Sequence, residues 1–267
     1  MRAWVLKSLS ALLMVPTVAP MWHHPVMEAN EFITALERDA SAFVEACEVA
    51  GLTTPVPSCP GWTVADLLWH LAEVHDFWRT ILAEERSTWK GYEQPPRPVD
   101  EGLADLYRRG QIALIAALRG ADPSTPVWTW SDDKTAGFVI RRMAQETSVH
   151  LWDATTAADM VNPIEAGLAS DGIDEFLTHF IGAVADGAAA VDGSVHLHCA
   201  DVAGEWTVRE GDDGVVVTRE HSKGDCAIRG AASDILLALW RRVPLSACDV
   251  VGDADVAARF IAHTNLN

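Results

Sequence analysis

The sequence predicts an α plus α+β protein, with an N-terminal four-helix bundle followed by a smaller α+β domain that has an antiparallel sheet. Its 267 residues are enough for two domains, because a domain usually takes about 100–200 residues. In the first part of the chain, apolar residues recur at intervals of three and four, which is typical of helices. After Pro163 the pattern changes to short alternating segments, which are typical of strands.

Four long helices are predicted in the first domain. The second of them has a strong start signal: Thr63 is a favoured N-cap residue, and Asp66 follows it at the third position of the helix. A polar, proline-rich connection covers about residues 86–99, and such helices with mostly short loops are typical of a bundle. The predicted helices cover about residues 28–50, 63–85, 100–118 and 137–158.

The second domain is predicted to combine helices with a meander of short strands. Val195, Leu197 and Cys199 alternate with His196 and His198, as in a half-buried strand. The predicted helices cover about residues 167–188, 233–242 and 254–262. The predicted strands cover residues 195–199, 206–208, 215–217, 226–228 and 249–251. The expected domains are 28–163 and 167–263.

Residues 1–27 resemble a secretory signal only superficially. The apolar run at 11–15 is short and is followed by a proline, which is unlike a signal sequence. It is also far shorter than the roughly 20 residues that a membrane span needs. We interpret residues 1–27 as a non-native or over-extended N-terminus, with Met21 or Met27 as the first native residue.

Charge and cysteine content exclude several classes of partner. The chain has 38 acidic and 20 basic side chains, a net charge of −18, whereas nucleic-acid binding needs a basic face. An anionic membrane surface is disfavoured for the same reason. The five cysteines are odd in number and lack CxxC spacing, so a disulfide framework is not expected. We expect a cytoplasmic monomer or homodimer that acts on small molecules.

A candidate metal site combines two predicted helices. Glu146 and His150 are four residues apart on the fourth helix, so their side chains lie on one face. His70 lies at the edge of the apolar stripe on the second helix, and so does His75. Two imidazoles and one carboxylate leave an open coordination position, as in catalytic zinc sites. However, such pairs are also common on helix surfaces, and the periodicity does not choose between His70 and His75.

Two other groups are interpreted as structural. His196 and His198 share one strand face and resemble a metal-binding pair, but the sequence shows no third ligand near them. They are therefore interpreted as a packed or solvated strand face. Cys59 is expected to pack beneath the loop that contains Trp62 rather than to act as a nucleophile.

Four segments together resemble the mycothiol-dependent maleylpyruvate isomerase family. Val56–Leu71 is similar to the hallmark segment of that family, and Glu146–Ala154 is similar to its second metal motif. His196–Trp206 and Gly230–Trp240 are similar to its C-terminal domain. The resemblance spans about residues 28–263. It implies a DinB-like metal-binding bundle followed by a sterol-carrier-like α+β domain.

The resemblance also implies a cofactor and a reaction. It selects His70 over His75, so that His70, Glu146 and His150 would hold Zn²⁺ or another divalent cation. The resemblance implies mycothiol as the thiol cosubstrate, and coordination would deprotonate its thiol at neutral pH. The metal-bound thiolate would add to the cis double bond of maleylpyruvate, and rotation and elimination would give fumarylpyruvate. Related members would transfer the thiol to an electrophile, so the chain is expected to be an isomerase or a thiol S-transferase.

A dianionic substrate needs a local cation in so acidic a protein. The resemblance favours Arg242 in this role, although the sequence reads Arg–Arg–Val–Pro where the family would have Gly–Arg–Arg–Pro. Arg241 and Arg229 are the alternatives. A structural role for these arginines, as cations at a helix C-terminus, is equally consistent with the sequence.

A second hypothesis is a different class of protein. The sterol-carrier-like domain could bind an apolar ligand while the metal is structural. The chain would then be a non-catalytic, metal-containing carrier or sensor of a small molecule or lipid.

Overall fold

The computed structural model describes residues 27–182, 184, 190–211, 214–264 and 266. Within them the chain forms two compact units, one of residues 27–164 and one from residue 165 onward. A helical region comes first, and a five-stranded mixed sheet with helices follows, which confirms the predicted fold class. The predicted N-terminal extension lies outside the described residues, apart from Met27.

Four α-helices build the first unit, which we call the helical unit. They are α1 (Ala29–Ala50), α2 (Val64–Ala83), α3 (Leu103–Gly120) and α4 (Ala136–Ala157). Helix α1 packs on α4, and α2 packs on α3. The apolar positions at helical spacing are the buried ones, as predicted. Fully buried examples are Leu36, Phe43, Leu67, Leu71, Leu114 and Met143.

The N-terminus of α2 carries the capping box that the sequence predicts. The backbone N–H of Asp66 donates to Thr63 Oγ1 at 3.4 Å, and the backbone N–H of Thr63 donates to the Asp66 carboxylate at 3.0 Å. Arg97, in the proline-rich connection, donates to Asp66 Oδ1 at 2.8 Å. One carboxylate therefore closes the helix end and holds the connection.

We expect Asp66→Ala to lower the free energy of unfolding by about 1–2 kcal/mol at neutral pH, because it removes a helix cap. Burial acts to raise the pKa of Asp66, but the hydrogen bonds from Arg97 and Thr63 outweigh it and lower the pKa below 3.8. The stabilisation is therefore present above that value and is lost as the pH falls through the lower, folded-state pKa. Urea denaturation should show a smaller difference in the free energy of unfolding between the parent and Asp66→Ala below pH 3 than at neutral pH.

Asp100→Ala is the matched control for this prediction. Asp100 pairs with the same arginine at 3.1 Å, but its side chain is 50% exposed and it does not cap α2. Exposed ion pairs of this kind contribute little to the free energy of unfolding. An equal loss of stability in both variants would contradict the capping role of Asp66.

The second unit, which we call the sheet unit, has three helices and five strands. The helices are α5 (Ala166–His179), α6 (Ala232–Leu239) and α7 (Ala254–His263). The strands are β1 (Ser194–Cys199), β2 (Glu205–Gly211), β3 (Gly214–Thr218), β4 (Cys226–Gly230) and β5 (Asp249–Gly252). Their order in the sheet is β3-β2-β1-β4-β5.

The sheet differs at its centre from the antiparallel sheet that the sequence predicts. Strands β1, β2 and β3 form the expected antiparallel meander, but β4 pairs with β1 in parallel. After β3 the chain crosses to the free side of β1 and so enters β4 in the direction of β1. Local alternation of side chains does not encode this choice, since it is the same in both kinds of pairing.

Two helices of the sheet unit are shorter than predicted. Helix α5 ends at His179 rather than near residue 188, and residues 183 and 185–189 lie outside the described residues. Helix α6 ends at Leu239 rather than at residue 242, because Arg241 adopts a left-handed conformation with φ of 56°. A residue in this region cannot continue a right-handed helix.

The apolar face of the sheet is covered within the unit. Trp206 is fully buried, and its Nε1 donates to Asp174 Oδ1 on α5 at 3.1 Å. A Cβ at residue 204 would lie 2.7 Å from Ser170 Oγ, so Gly204 permits the close approach of this segment to α5. None of the helices in the described part of the chain is long and apolar enough to span a membrane.

Candidate metal centre

Three side chains converge inside the helical unit. His70 Nε2 lies 3.3 Å from Glu146 Oε1, and His150 Nε2 lies 3.2 Å from the same oxygen. The two imidazole rings are edge to face, with centroids 5.0 Å apart. Helix α2 supplies His70, and two successive turns of α4 supply the other two. Two imidazoles and a carboxylate are the donor set of many catalytic zinc sites.

The second oxygen of Glu146 is held by an arginine. Arg142 Nη2 donates to Glu146 Oε2 at 2.6 Å from one turn earlier on α4, and Arg142 is only 5% exposed. Sequence reasoning missed this residue, although its spacing of four from Glu146 is a usable signal. The carboxylate therefore presents Oε1 to the two histidines while Oε2 is neutralised.

A buried carboxylate lies behind His150. Asp153 is fully buried, and its Oδ2 lies 2.8 Å from His150 Nδ1. Ser58 Oγ donates to Asp153 Oδ1 at 2.5 Å, and Cys59 Sγ lies 3.6 Å from Oδ2. Carboxylates commonly orient metal-binding histidines in this way. The loop before α2 is thus tied to α4 through the residue that orients His150.

The direction of the donor atoms indicates whether these three residues fit a cation. If the Nδ1–H of His150 donates to Asp153, the lone pair of Nε2 points at the ionised Oε1 of Glu146. Two electron-pair donors then face each other at 3.2 Å, with His70 Nε2 beside them. A proton or a cation must lie between them, and a divalent cation satisfies all three donors at once.

The pKa values of the three groups follow from burial and from their neighbours. Burial acts to raise the pKa of Glu146, but the charge of Arg142 and hydrogen bonds with both histidines hold it well below its usual range. Burial acts to lower the pKa of His150, but hydrogen bonds with Asp153 and Glu146 raise it to about 9. Burial lowers the pKa of His70. Glu146 is therefore ionised at neutral pH, as a metal ligand must be.

His75, the alternative left open by the periodicity, lies elsewhere. Its side chain is fully buried, and its Nε2 lies 3.0 Å from Thr147 Oγ1. Its ring packs beside Tyr107 at a centroid distance of 5.3 Å, and burial lowers its pKa to about 3. His75 is a core residue, and it is His70 that lies next to Glu146 and His150.

The loop between α1 and α2 places two side chains at this centre. The backbone N–H of Val56 donates to the carbonyl of Trp62 at 2.9 Å, which closes the loop. The Trp62 ring then lies 5.1 Å from the His70 ring, centroid to centroid. Cys59, expected only to pack in this loop, also has its Sγ directed at Asp153.

Comparison with known families adds a second line of observation. The sequence-family model of the mycothiol maleylpyruvate isomerase N-terminal domain matches residues 33–155. The model of the C-terminal domain of the same family matches residues 168–259. The chain belongs to the mycothiol maleylpyruvate isomerase family. The segments that carried the resemblance in the sequence lie within these two matches.

Solved structures show that members of the mycothiol maleylpyruvate isomerase family share this fold. A crystal structure of a mutant mycothiol-dependent maleylpyruvate isomerase aligns with a TM-score of 0.58 and 13% identity, over 85% of this chain and 95% of that chain. A second crystal structure of the mycothiol-dependent maleylpyruvate isomerase aligns with a TM-score of 0.53 and 14% identity, over 79% of this chain and 88% of that chain. A search of curated proteins finds no match.

One of the three candidate arginines has a clear structural role in this family member. Arg241 Nε donates to the carbonyl of Ile261 and Nη2 donates to that of Ala262, each at 3.0 Å, and Nη2 also reaches the carbonyl of Thr264. These carbonyls belong to the C-terminal end of α7 and the residue after it. A cation there compensates the helix dipole, which is the structural alternative considered for these arginines.

The other two arginines differ from Arg241. Arg242 Nη1 donates to the carbonyl of Trp240 at 3.0 Å, within its own loop. Arg229 is exposed on β4, in register with His198 of β1. The assignment of a substrate-binding role to Arg242 therefore stays a prediction.

Proposed function

We propose that this protein is a metal-dependent enzyme that uses mycothiol to isomerise maleylpyruvate-type cis-enoic acids or to transfer the thiol to an electrophile. One observation carries the proposal. Glu146 Oε1 faces the Nε2 atoms of His70 and His150 at 3.3 and 3.2 Å, in a member of a family named for that isomerase. Convergent donor atoms of this kind can hold one divalent cation in place of a proton.

His70, Glu146 and His150 would hold the cation, and we propose Zn²⁺ because the donors are two imidazoles and one carboxylate. When bound, the cation supplies a Lewis acid that favours the thiolate form of a thiol at neutral pH. Arg142 keeps Glu146 deprotonated by pairing with Oε2. With the cation bound, Asp153 would accept a hydrogen bond from the Nδ1–H of His150, which would leave the lone pair of Nε2 for the cation.

The chemistry itself balances without a redox step. Addition of a thiolate to the cis double bond moves the π electron pair onto the conjugated carbonyl as an enolate and leaves a single bond about which the substrate rotates. Elimination of the same thiolate restores the double bond in the trans form, so mycothiol is not consumed. In the transferase alternative the thiolate displaces a leaving group, which departs with the bonding electron pair, or adds to a double bond whose carbanion then takes up a proton. The thiol stays in the product.

The direct test combines metal removal with an assay. The purified protein, tested with maleylpyruvate and with a panel of electrophiles, should turn over only with mycothiol. Treatment with a chelator should abolish turnover, and added Zn²⁺ should restore it. A trans product without thiol consumption identifies the isomerase, and a thiol adduct identifies the transferase. No turnover by protein that holds a cation at Glu146 would overturn the proposal in favour of a carrier or sensor.

We further propose that Arg242 binds a substrate carboxylate. Arg242→Ala is then expected to raise KM by about tenfold or more and to leave cation content unchanged, since a hydrogen bond to a charged group contributes about 1.5–3 kcal/mol. Arg241→Ala is expected to leave KM unchanged and to lower the free energy of unfolding by about 1–2 kcal/mol, because α7 loses its cationic partner. Steady-state kinetics and urea denaturation of both variants check this, and the reverse pattern would assign substrate binding to Arg241.

A further inference from the structure

A second group of metal-ligating side chains lies in the sheet unit. We call His196, His198, Glu205 and His221 the sheet cluster. Each of them offers one ligand atom, and these four atoms all lie within 4.8 Å of one another. The sequence shows the first two histidines as a pair without a third ligand. The structure supplies a third and a fourth.

The sheet cluster forms because of strand register. His196 and His198 alternate along β1, so their side chains share one face of the sheet. Glu205 on β2 pairs directly with His198 in the antiparallel register and points to the same face. His221 follows β3, in a segment whose Glu220 carbonyl accepts a hydrogen bond from Thr207 Oγ1 of β2. Three separate segments thus deliver four donors.

The donor atoms have separations suited to one ion. Glu205 Oε1 lies 2.6 Å from His198 Nδ1, and Oε2 lies 2.9 Å from His221 Nδ1 and 3.8 Å from His196 Nε2. Around a tetrahedral Zn²⁺ with bonds of about 2.0–2.1 Å, the donor atoms are about 3.3 Å apart. The three distances from the Glu205 oxygens lie on either side of that value, and all four donor atoms lie within 4.8 Å of one another, so side-chain rotations would centre an ion among them.

An orphaned buried nitrogen points to a missing ligand. His196 is only 7% exposed. Among the residues that the structure describes, its Nε2 has no hydrogen-bond partner. The Glu205 oxygen at 3.8 Å is too far to accept a hydrogen bond from it. An unsatisfied buried polar atom is costly, and a cation in the cluster would satisfy it.

We propose that the sheet cluster binds one divalent transition-metal cation, with Zn²⁺ as the probe, in addition to the cation proposed at His70. Three imidazoles and a carboxylate favour zinc and its neighbours over Ca²⁺ or Mg²⁺, which prefer all-oxygen sites. Four protein donors leave no open position in a tetrahedral site, which is typical of structural zinc. The cation would fasten the segment around His221 to strands β1 and β2.

The test is a titration of chelator-treated protein with Zn²⁺ alone. The parent protein should bind two equivalents, and His70→Ala and His221→Ala should each bind one with high affinity. The double variant should bind none with comparable affinity. His221 is 76% exposed, so His221→Ala should fold normally. Zn²⁺ at about 100 times Kd should raise the Tm of His70→Ala protein by about 5 °C.

A matched pair of carboxylate variants controls for nonspecific binding. In His70→Ala protein, Glu205→Gln should weaken Zn²⁺ binding at least about 100-fold, since even the loss of a group behind a ligand costs 10–100-fold. Glu220→Gln removes an equal charge from an exposed position next to His221 and should change nothing. Two results would overturn the sheet-cluster site. In the first, the parent protein binds only one equivalent of Zn²⁺ and His221→Ala protein still binds it. In the second, Glu205→Gln and Glu220→Gln weaken Zn²⁺ binding equally. Neither result would affect the proposed function, which depends on His70.

Discussion

His70→Ala is expected to lower the mycothiol-dependent kcat/KM by at least about 10³-fold, which corresponds to about 4 kcal/mol of lost transition-state stabilisation. The variant keeps Glu146 and His150 on α4 but loses the only donor that α2 supplies. Two ligands from one helix hold a cation far more weakly than three. The His70 side chain is 13% exposed, so the folding of the variant is measured together with its activity.

The measurements are metal content and steady-state turnover, with circular dichroism to confirm folding. His179→Ala is the matched control, since it removes a histidine at the end of α5 in the sheet unit. It should keep full activity and metal content. Turnover by His70→Ala protein within tenfold of the parent would show that the reaction does not depend on a cation at this centre.

Asp153→Asn is expected to weaken cation binding at the helical-unit centre by about 10–100-fold and to reduce turnover with it. The asparagine amide can donate to His150 Nδ1, which moves the ring proton to Nε2. A protonated Nε2 cannot ligate a metal. The buried hydrogen bonds that Asp153 accepts from Ser58 and His150 are also weakened, so we expect a stability loss of about 1–3 kcal/mol.

Ser58→Ala separates positioning from stability in this prediction. It removes one hydrogen bond to Asp153 but leaves the contact between Asp153 and His150 in place. It should lower the free energy of unfolding by about 1 kcal/mol with little change in Zn²⁺ affinity. Asp159→Asn, an exposed position beyond α4, should change neither quantity. If Ser58→Ala and Asp153→Asn weakened Zn²⁺ binding equally, Asp153 would be a structural residue rather than one that positions His150.

Much of the candidate centre could be predicted because its signals are local. Glu146 and His150 are one helical turn apart, so their common face follows from the pitch of the helix alone. The capping pair of Thr63 and Asp66 is equally local, and its geometry is confirmed. Arg142 belongs to the same local pattern, and its spacing from Glu146 indicates an ion pair, but the burial of its charge cannot be read from spacing.

Contacts across large sequence separations could not be predicted in this way. Ser58 and Asp153 are 95 residues apart in the chain, and the local sequence around either residue does not indicate the other as its partner. Glu205 becomes a partner of His198 only through the register of the hairpin between β1 and β2. His221 joins them only because the segment after β3 returns to this face of the sheet. The pair of histidines on β1 therefore looked incomplete in sequence and is part of a four-residue cluster in space.

The sequence by itself determined the succession of helices and strands, the acidic character of the chain and the motifs of its family, because each depends on neighbouring residues or on composition. Only the tertiary structure decided which side chains meet. His70 and His75 are five residues apart on α2 and so point about 140° away from each other. The packing of α2 against α4 directs His70 to Glu146 and His75 to Thr147. Similarly, the parallel pairing of β4 with β1 depends on the path of the chain between strands, which side-chain alternation does not encode.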